Sequence, residues 1–155
     1  MGQSLILPDP DATKSLARQV ALSLPDDAAG WTILLQGELG AGKSTFARSM
    51  LHALGHAGLV PSPTYTLVEP YSLSKYTVYH IDLYRIASTD ELEYLGWSDL
   101  REGLRLVEWP ERAPQLDDEA DIRVAFGFAG AGRTADLQGL TDRGAALVAA
   151  VGRSV

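Results

Sequence analysis

A glycine-rich segment in the first third of the chain constrains the fold more than any other feature. It reads Gly37-Glu38-Leu39-Gly40-Ala41-Gly42-Lys43-Ser44. The apolar run at residues 31–35 precedes it and is typical of a buried strand. After it, apolar residues recur at helical spacing before Gly55, the expected C-cap; they are Phe46, Met50, Leu51 and Leu54. The sequence therefore predicts a strand, a tight glycine loop and a helix in direct succession.

Helices and strands alternate along the rest of the chain. Leu16, Val20 and Leu24 mark a first helix after an Asp- and Pro-rich start. We expect strands at residues 65–68, 78–83, 104–107 and 122–128, a helix from the capping-box spacing of residues 88–91 to 96, and a last helix at 142–151. This alternation predicts an α/β fold with a central, mostly parallel sheet flanked by helices. Because 155 residues with 46% hydrophobic composition can bury one core, we expect a single domain over residues 1–155.

The composition excludes several classes of function. The chain has 13 Lys and Arg against 20 Asp and Glu, so its surface on average repels a phosphate backbone, and we do not expect autonomous nucleic-acid binding. It has no cysteine, which excludes disulfides, thiolate zinc sites and cysteine nucleophiles. No segment approaches the roughly 18 apolar residues of a membrane span, and no basic region begins the chain. We therefore expect a cytoplasmic protein.

The glycine loop has the spacing of a P-loop, G-x-x-x-x-G-K-[ST], and the predicted strand and helix supply the context that this motif requires. Glycines let the backbone curl around phosphates and present N–H groups beside the positive end of the helix. We expect Lys43 to reach the β- and γ-phosphates of ATP and the Ser44 hydroxyl to bind Mg²⁺. The alternative is a glycine-rich turn that merely connects a strand to a helix. The predicted cofactor-binding residues of the loop are Gly37, Glu38, Leu39, Gly40, Ala41, Gly42, Lys43, Ser44 and Thr45.

Two carboxylates end predicted strands, where a P-loop site needs an acid to hold Mg²⁺. Asp82 follows the strand at residues 78–81, and Glu108 follows the strand at 104–107. We assign Glu108 to the magnesium shell and Asp82, as a catalytic residue beside Lys43, to orienting a water or a switch loop. Exchanging the two roles fits the sequence almost as well.

Two further side chains near these acids have an ordinary structural interpretation. His80 lies two residues before Asp82, so both side chains point to the same face of the strand. We interpret His80 as packing a strand end and not as a proton carrier. Trp109 follows Glu108, and a buried aromatic beside the site is favoured over stacking on a nucleotide or partner.

The order of four motifs between residues 35 and 112 is more specific than the P-loop alone. They are residues 37–46 around the P-loop, Ser62-Pro63-Thr64-Tyr65, His80-Ile81-Asp82-Leu83-Tyr84-Arg85 and Glu108-Trp109-Pro110-Glu111-Arg112. Together they resemble the TsaE family, also called YjeE.

The resemblance implies a small α/β ATPase that works with the partner proteins TsaB and TsaD. In that pathway a threonylcarbamoyl group is placed on the adenosine next to the tRNA anticodon, and TsaD carries the transfer chemistry. The TsaE-like subunit supplies an ATPase cycle needed for turnover and meets tRNA only through the complex. By the family pattern, Lys43 and Ser44 bind phosphate and metal, Glu108 serves the metal and Asp82 is a functional acid. Residues 62–64 would form a loop that responds to the nucleotide.

The departures from the family pattern are small. Ser44 stands where many members carry threonine, which keeps the hydroxyl ligand. Thr13 lies near the place where the family often has a threonine close to the adenine. Arg133, expected in the turn after the alternating strand, is a further candidate for the base pocket. Thr13 and Arg133 are assigned by position, because no specific motif surrounds them.

Two other functional classes share the P-loop. A small-molecule kinase would need an arginine-bearing lid, for which Arg101, Arg105 and Arg112 are candidates, but nothing in the sequence indicates an acceptor pocket. A nucleotide-responsive switch without useful hydrolysis is the second. A GTPase switch is disfavoured because the chain contains no asparagine for an Asn-Lys-x-Asp motif. We expect slow hydrolysis by the free protein, with a partner completing the site, since no arginine is clearly placed to neutralise the γ-phosphate.

Overall fold

One seven-stranded sheet organises the chain. The computed structural model describes residues 2–154. The strands are β1 (Gly2–Leu7), β2 (Thr32–Gln36), β3 (Val68–Ser72), β4 (Thr77–Asp82), β5 (Leu104–Glu108), β6 (Ile122–Ala129) and β7 (Gly132–Gly139). The helices are α1 (Pro10–Ser23), α2 (Lys43–Ala53), α3 (Glu91–Tyr94) and α4 (Asp142–Ser154), with 3₁₀ turns at Asp99–Glu102, Pro110–Arg112 and Pro114–Asp118. Within this span, no helix is both long and apolar enough to cross a membrane.

The centre of the sheet is parallel and its edges are antiparallel. The strand order is β1-β7-β6-β2-β5-β4-β3. β6, β2, β5 and β4 pair in parallel, whereas β7, β1 and β3 join through antiparallel ladders. The predicted α/β fold with a parallel centre is confirmed. Because parallel strands end at the same edge of a sheet, the residues after β2, β4 and β5 are brought together.

The sheet is covered on both faces, which explains why its central strands β2 and β5 are buried along almost their whole length. Side chains alternate along β2, so that Ile33 and Leu35 belong to the core under α1, α2 and α4. Leu34 faces the opposite way and packs with Val107. This second core also contains residues of α3 and of the 3₁₀ turns, namely Leu92, Leu100 and Leu116. The central strands are therefore held rigidly from both sides.

Helices α1 and α2 have one end each that local chemistry predicts. The Asp9 side chain caps α1 by accepting a hydrogen bond from the Ala12 N–H at 2.9 Å, and Pro10 occupies the first turn. Gly55 follows α2 with a φ of 116°, the left-handed conformation that favours glycine after a helix. The start of α1 and the end of α2 thus lie where the sequence indicated.

Strands β1 and β7 were not predicted, and they change the position of one site residue. We expected Arg133 to lie in the turn after β6. That prediction is wrong, because Arg133 is the second residue of β7. Six residues of β1 pair with β7, and β7 pairs in turn with β6. Side chains on β1 are mostly exposed or half-buried, so its apolar pattern is too weak to mark a strand.

Two other predicted elements differ in their extent. Residues 65–68 do not form a strand; β3 begins at Val68 and passes through Pro70, which is tolerated because β3 is an edge strand. The helix expected from residue 88 to 96 is reduced to α3. Glu91 does accept hydrogen bonds from the backbone N–H groups of Ser88 and Ala87, but the Ser88 side chain caps nothing, and i to i+3 turns replace the first helical turn.

Candidate functional site

The glycine loop joins β2 to α2 with a backbone that only glycine adopts easily. Gly37, Gly40 and Gly42 have φ values of 149°, 81° and 119°. A Cβ atom at Gly37 would lie 2.9 Å from the carbonyl oxygen of Phe126, so β6 supports the base of the loop at close range. Gly42 precedes α2, and no side chain caps that helix. The N–H groups of its first turn are therefore not capped by a side chain and are available to an external acceptor, as an anion site requires.

Lys43 is held inside the loop. Its Nζ donates a hydrogen bond to the Gly37 carbonyl and lies 3.3 Å from the centre of the Trp109 ring. The side chain is buried. Burial lowers the pKa of Lys43 below its usual value, while the carboxylates of Glu111, Glu108 and Asp82 oppose that shift. A cation is thus kept at the centre of the loop, facing acidic groups.

The two predicted acids lie side by side at the ends of neighbouring strands. Asp82 on β4 and Glu108 on β5 are register partners, and both are buried, with 4% and 3% of their surfaces exposed. The Ser44 hydroxyl approaches Glu108 Oε1 at 3.3 Å. Burying two carboxylates costs free energy unless cations or hydrogen-bond donors face them. The structure thus places the two predicted metal ligands, Ser44 and Glu108, within hydrogen-bonding distance of each other.

Asp82 contacts the loop at residues 62–64. Thr64 donates from Oγ1 to Asp82 Oδ2 at 3.1 Å, and the Tyr84 N–H donates to Oδ1 at 2.8 Å. Ser62 Oγ lies 2.8 Å from Thr64 Oγ1. The Asp82 carboxylate thus accepts hydrogen bonds both from the backbone just after β4 and from the Ser62-Pro63-Thr64 segment.

These residues line one cleft of about 290 Å³ at the carboxyl edge of the sheet. Its walls are Leu39, Gly40, Gly42, Lys43, Ser44, Thr45, Ser62, Thr64, Asp82, Tyr84, Glu108 and Trp109. Among the predicted loop residues, the Ala41 side chain is buried in the core and Glu38 faces a separate depression beside Glu111. The side chains of those two residues do not line the cleft.

A second cleft of about 130 Å³ adjoins the first and contains both candidates for a base pocket. Thr13 from α1 and Arg133 from β7 line it together with Gly40, Gly42 and Thr45, which also line the first cleft. Arg133 donates from Nε to the Gly40 carbonyl at 3.2 Å. Two residues 120 positions apart thus meet beside the glycine loop.

His80 has a closer relation to the site than the sequence suggested. Its Nε2 lies 2.6 Å from Glu108 Oε2, and both side chains are buried. The spacing of His80 and Asp82 correctly placed them on one strand face. The contact with Glu108 depends on the pairing of β4 with β5, which no local signal in the sequence reveals.

Two of the three arginines considered for a kinase lid lie away from the cleft. Arg105 is buried at the start of β5, where it donates to Thr32 Oγ1 at 2.9 Å and pairs with Glu119 at 3.0 Å. Arg101 approaches the same glutamate at 3.5 Å. Arg112 is nearer the site, with its guanidinium 5.3 Å from the ring of Tyr84.

Comparison with known proteins decides the family. A family model described as "Threonylcarbamoyl adenosine biosynthesis protein TsaE" matches residues 7–135. The chain belongs to the TsaE family. Relatives called tRNA threonylcarbamoyladenosine biosynthesis protein TsaE include one from Haemophilus influenzae, 42% identical over 120 residues and 76% of each chain. Another from Synechocystis is 44% identical over 119 residues and 73% of each chain. A third from Aquifex aeolicus is 37% identical over 124 residues, or 79% of this chain and 87% of the relative.

A solved structure shares the fold over almost the whole chain. The crystal structure of Bacillus subtilis YdiB matches with a TM-score of 0.76, covering 99% of this chain and 96% of that one at 24% identity. The segment matched by the TsaE family model contains every residue of the two clefts, from Leu7 to Arg133.

Proposed function

We propose that this TsaE-family protein is a Mg²⁺-dependent P-loop ATPase that serves tRNA threonylcarbamoyladenosine biosynthesis in the cytoplasm together with TsaB and TsaD. The observation that carries the proposal is the convergence of Lys43, Ser44, Asp82 and Glu108 on one cleft. A cation, a hydroxyl and two acids at the start of a helix and the ends of parallel strands are the groups that phosphoryl chemistry requires.

The P-loop supports binding of the triphosphate. The uncapped first turn of α2 offers N–H groups and the positive helix end to phosphate oxygens. Lys43 adds a full charge and would exchange its Gly37 and Trp109 contacts for phosphate. The adjoining cleft with Thr13 and Arg133 is the proposed place for the base.

The donor set fits Mg²⁺. Two neighbouring ligands of an octahedral Mg²⁺ lie roughly 3 Å apart, and Ser44 Oγ is 3.3 Å from Glu108 Oε1. In residues 2–154 no cluster of three or more His, Asp or Glu side chains could hold a metal ion by itself. The remaining ligands would therefore be phosphate oxygens and water, which Mg²⁺ commonly keeps. Bound Mg²⁺ would neutralise charge on the transferring phosphoryl group.

Asp82 is the proposed catalytic carboxylate, and hydrolysis by the free protein is expected to be slow. Asp82 could orient a water through the oxygen that now accepts from Thr64, which would couple that water to the loop at residues 62–64. Among the described residues, no arginine lines the cleft around Lys43. P-loop enzymes in which no arginine reaches the γ-phosphate are poor catalysts, so a partner is proposed to complete the site.

The test measures phosphate release from ATP and Mg²⁺ by the protein alone and with TsaB and TsaD, alongside threonylcarbamoylation of tRNA. Lys43→Ala is compared with Lys75→Ala, which removes an exposed lysine paired with Asp26. We expect partner-stimulated hydrolysis and repeated rounds of tRNA modification, both lost only in Lys43→Ala. Hydrolysis equally fast without partners would refute the completed-site proposal. ATP loss that yields a phosphorylated small molecule would favour the kinase alternative.

A further inference from the structure

We propose that His80 is a positioning residue that holds Glu108 for Mg²⁺. This inference rests on the proposed function, because it assumes that Glu108 serves the metal. His80 does not line the cleft, and its side chain bonds to Glu108, so it would act through that carboxylate.

The hydrogen bonds divide the two oxygens of Glu108. Oε2 faces His80 Nε2 at 2.6 Å, and Oε1 faces Ser44 Oγ at 3.3 Å. A carboxylate that serves Mg²⁺ only accepts hydrogen bonds, so in this role of Glu108 the His80 Nε2 would be the donor. The bond to His80 fixes the side of Glu108 that is turned away from the cleft. The other oxygen is thereby directed at Ser44.

Burial makes the contact specific. His80 and Glu108 expose 2% and 3% of their surfaces, so water does not compete for the bond. His80 Nδ1 is also buried and has no partner among the described residues. Among the described residues, the imidazole therefore makes one side-chain hydrogen bond, and its partner is Glu108. A histidine that served only to pack the strand end would not need this bond. Metal-ligating carboxylates are commonly oriented by such outer hydrogen bonds.

Sheet register explains why the pair is rigid. On the parallel β4–β5 ladder, His80 is level with Leu106, and Asp82 is level with Glu108. Side chains two residues apart on a strand share a face, so His80 approaches Glu108 diagonally across two fixed backbones. The orientation of Glu108 is therefore set by the sheet and does not depend on a loop.

The experiment compares two amides at position 80. Glutamine can place its amide nitrogen near the position of His Nε2, whereas the shorter asparagine reaches only the position of Nδ1. Binding of ADP is measured by calorimetry over a series of Mg²⁺ concentrations and in EDTA. We expect His80→Asn to raise the Mg²⁺ concentration for half-maximal effect by about 10–100-fold and His80→Gln to stay close to wild type. Binding in EDTA should be unchanged in both.

A double-mutant cycle with Glu108→Gln separates this inference from the proposed function. If His80 acts through Glu108, then His80→Asn should add nothing to the effect of Glu108→Gln. If Glu108→Gln raises the Mg²⁺ requirement and His80→Asn does not, the role of His80 is overturned and the metal assignment of Glu108 stands. An unchanged requirement in Glu108→Gln would refute the metal assignment and the inference with it. Equal losses in His80→Gln and His80→Asn would also overturn the inference. If His80→Asn does not fold, His80→Met takes its place as the variant without a donor.

Discussion

Replacing Gly37 with alanine should destabilise the protein more than the same change at Gly40. Both glycines have positive φ, which costs a residue with a Cβ about 1–2 kcal/mol. Only at Gly37 does the new Cβ also collide, at 2.9 Å from the Phe126 carbonyl oxygen and 3.2 Å from Phe126 Cβ. At Gly40 no atom lies within 4 Å. Since overpacking costs about 1–3 kcal/mol, we expect losses of about 2–5 kcal/mol for Gly37→Ala and about 1–2 kcal/mol for Gly40→Ala.

Urea denaturation without nucleotide is the suitable assay, because ligand binding would add its own stabilisation. With a slope of about 2 kcal/mol per molar urea, the two midpoints should differ by roughly 0.5–1.5 M. Gly30→Ala is a control outside the loop, with a φ of 87° and no atom within 4 Å. It should behave like Gly40→Ala. Equal midpoints for Gly37→Ala and Gly40→Ala would refute the idea that β6 supports the loop through Phe126.

Three further predictions concern other parts of the molecule. Asp121 accepts hydrogen bonds from the Thr32 N–H, Thr141 and Arg143; although burial alone would raise its pKa, these bonds lower it below 3.8. Asp121→Asn should therefore lower the free energy of unfolding by about 2–3 kcal/mol, as measured by thermal or urea denaturation. This loss should be fully present above pH 3.8 and should shrink as the pH falls below that value, because the Asp121 carboxylate of the wild type is then protonated. Ser44→Ala should weaken ADP binding in the presence of Mg²⁺ but not in its absence, as measured by calorimetry, whereas Ser44→Thr should bind like the wild type because it keeps the hydroxyl. An unaltered Mg²⁺ dependence in Ser44→Ala would contradict the assignment of Ser44 as a metal ligand. Arg133→Met should weaken ADP binding by about 1–2 kcal/mol and leave binding of inorganic triphosphate unchanged, whereas equal weakening of both would place Arg133 at the phosphates.

The glycine loop, its strand and its helix could be predicted because their signals are local. Eight consecutive residues carry the glycine spacing, and the flanking apolar residues of β2 and α2 have distinct periods. The strand ends at Asp82 and Glu108 were also found locally. Their convergence followed from the general rule that parallel strands end at one edge.

Features that depend on pairing between distant segments could not be predicted in the same way. β1 and β7 have few buried side chains, and in β7 only Ala135 and Leu137 are fully buried, so alternation is hard to detect. The contact between His80 and Glu108 joins residues 28 positions apart and requires the register of β4 against β5. Local periodicity contains no information about register.

The proline in β3 also affects how other chains can approach this protein. β3 forms one edge of the sheet, and Pro70 lies in its middle. A proline in an edge strand turns its missing N–H toward solvent, which interrupts the row of donors that an added strand would need. This edge is therefore poorly suited to β-augmentation and to edge-to-edge aggregation. A partner protein that binds on this side would have to recognise side chains and could not simply extend the sheet.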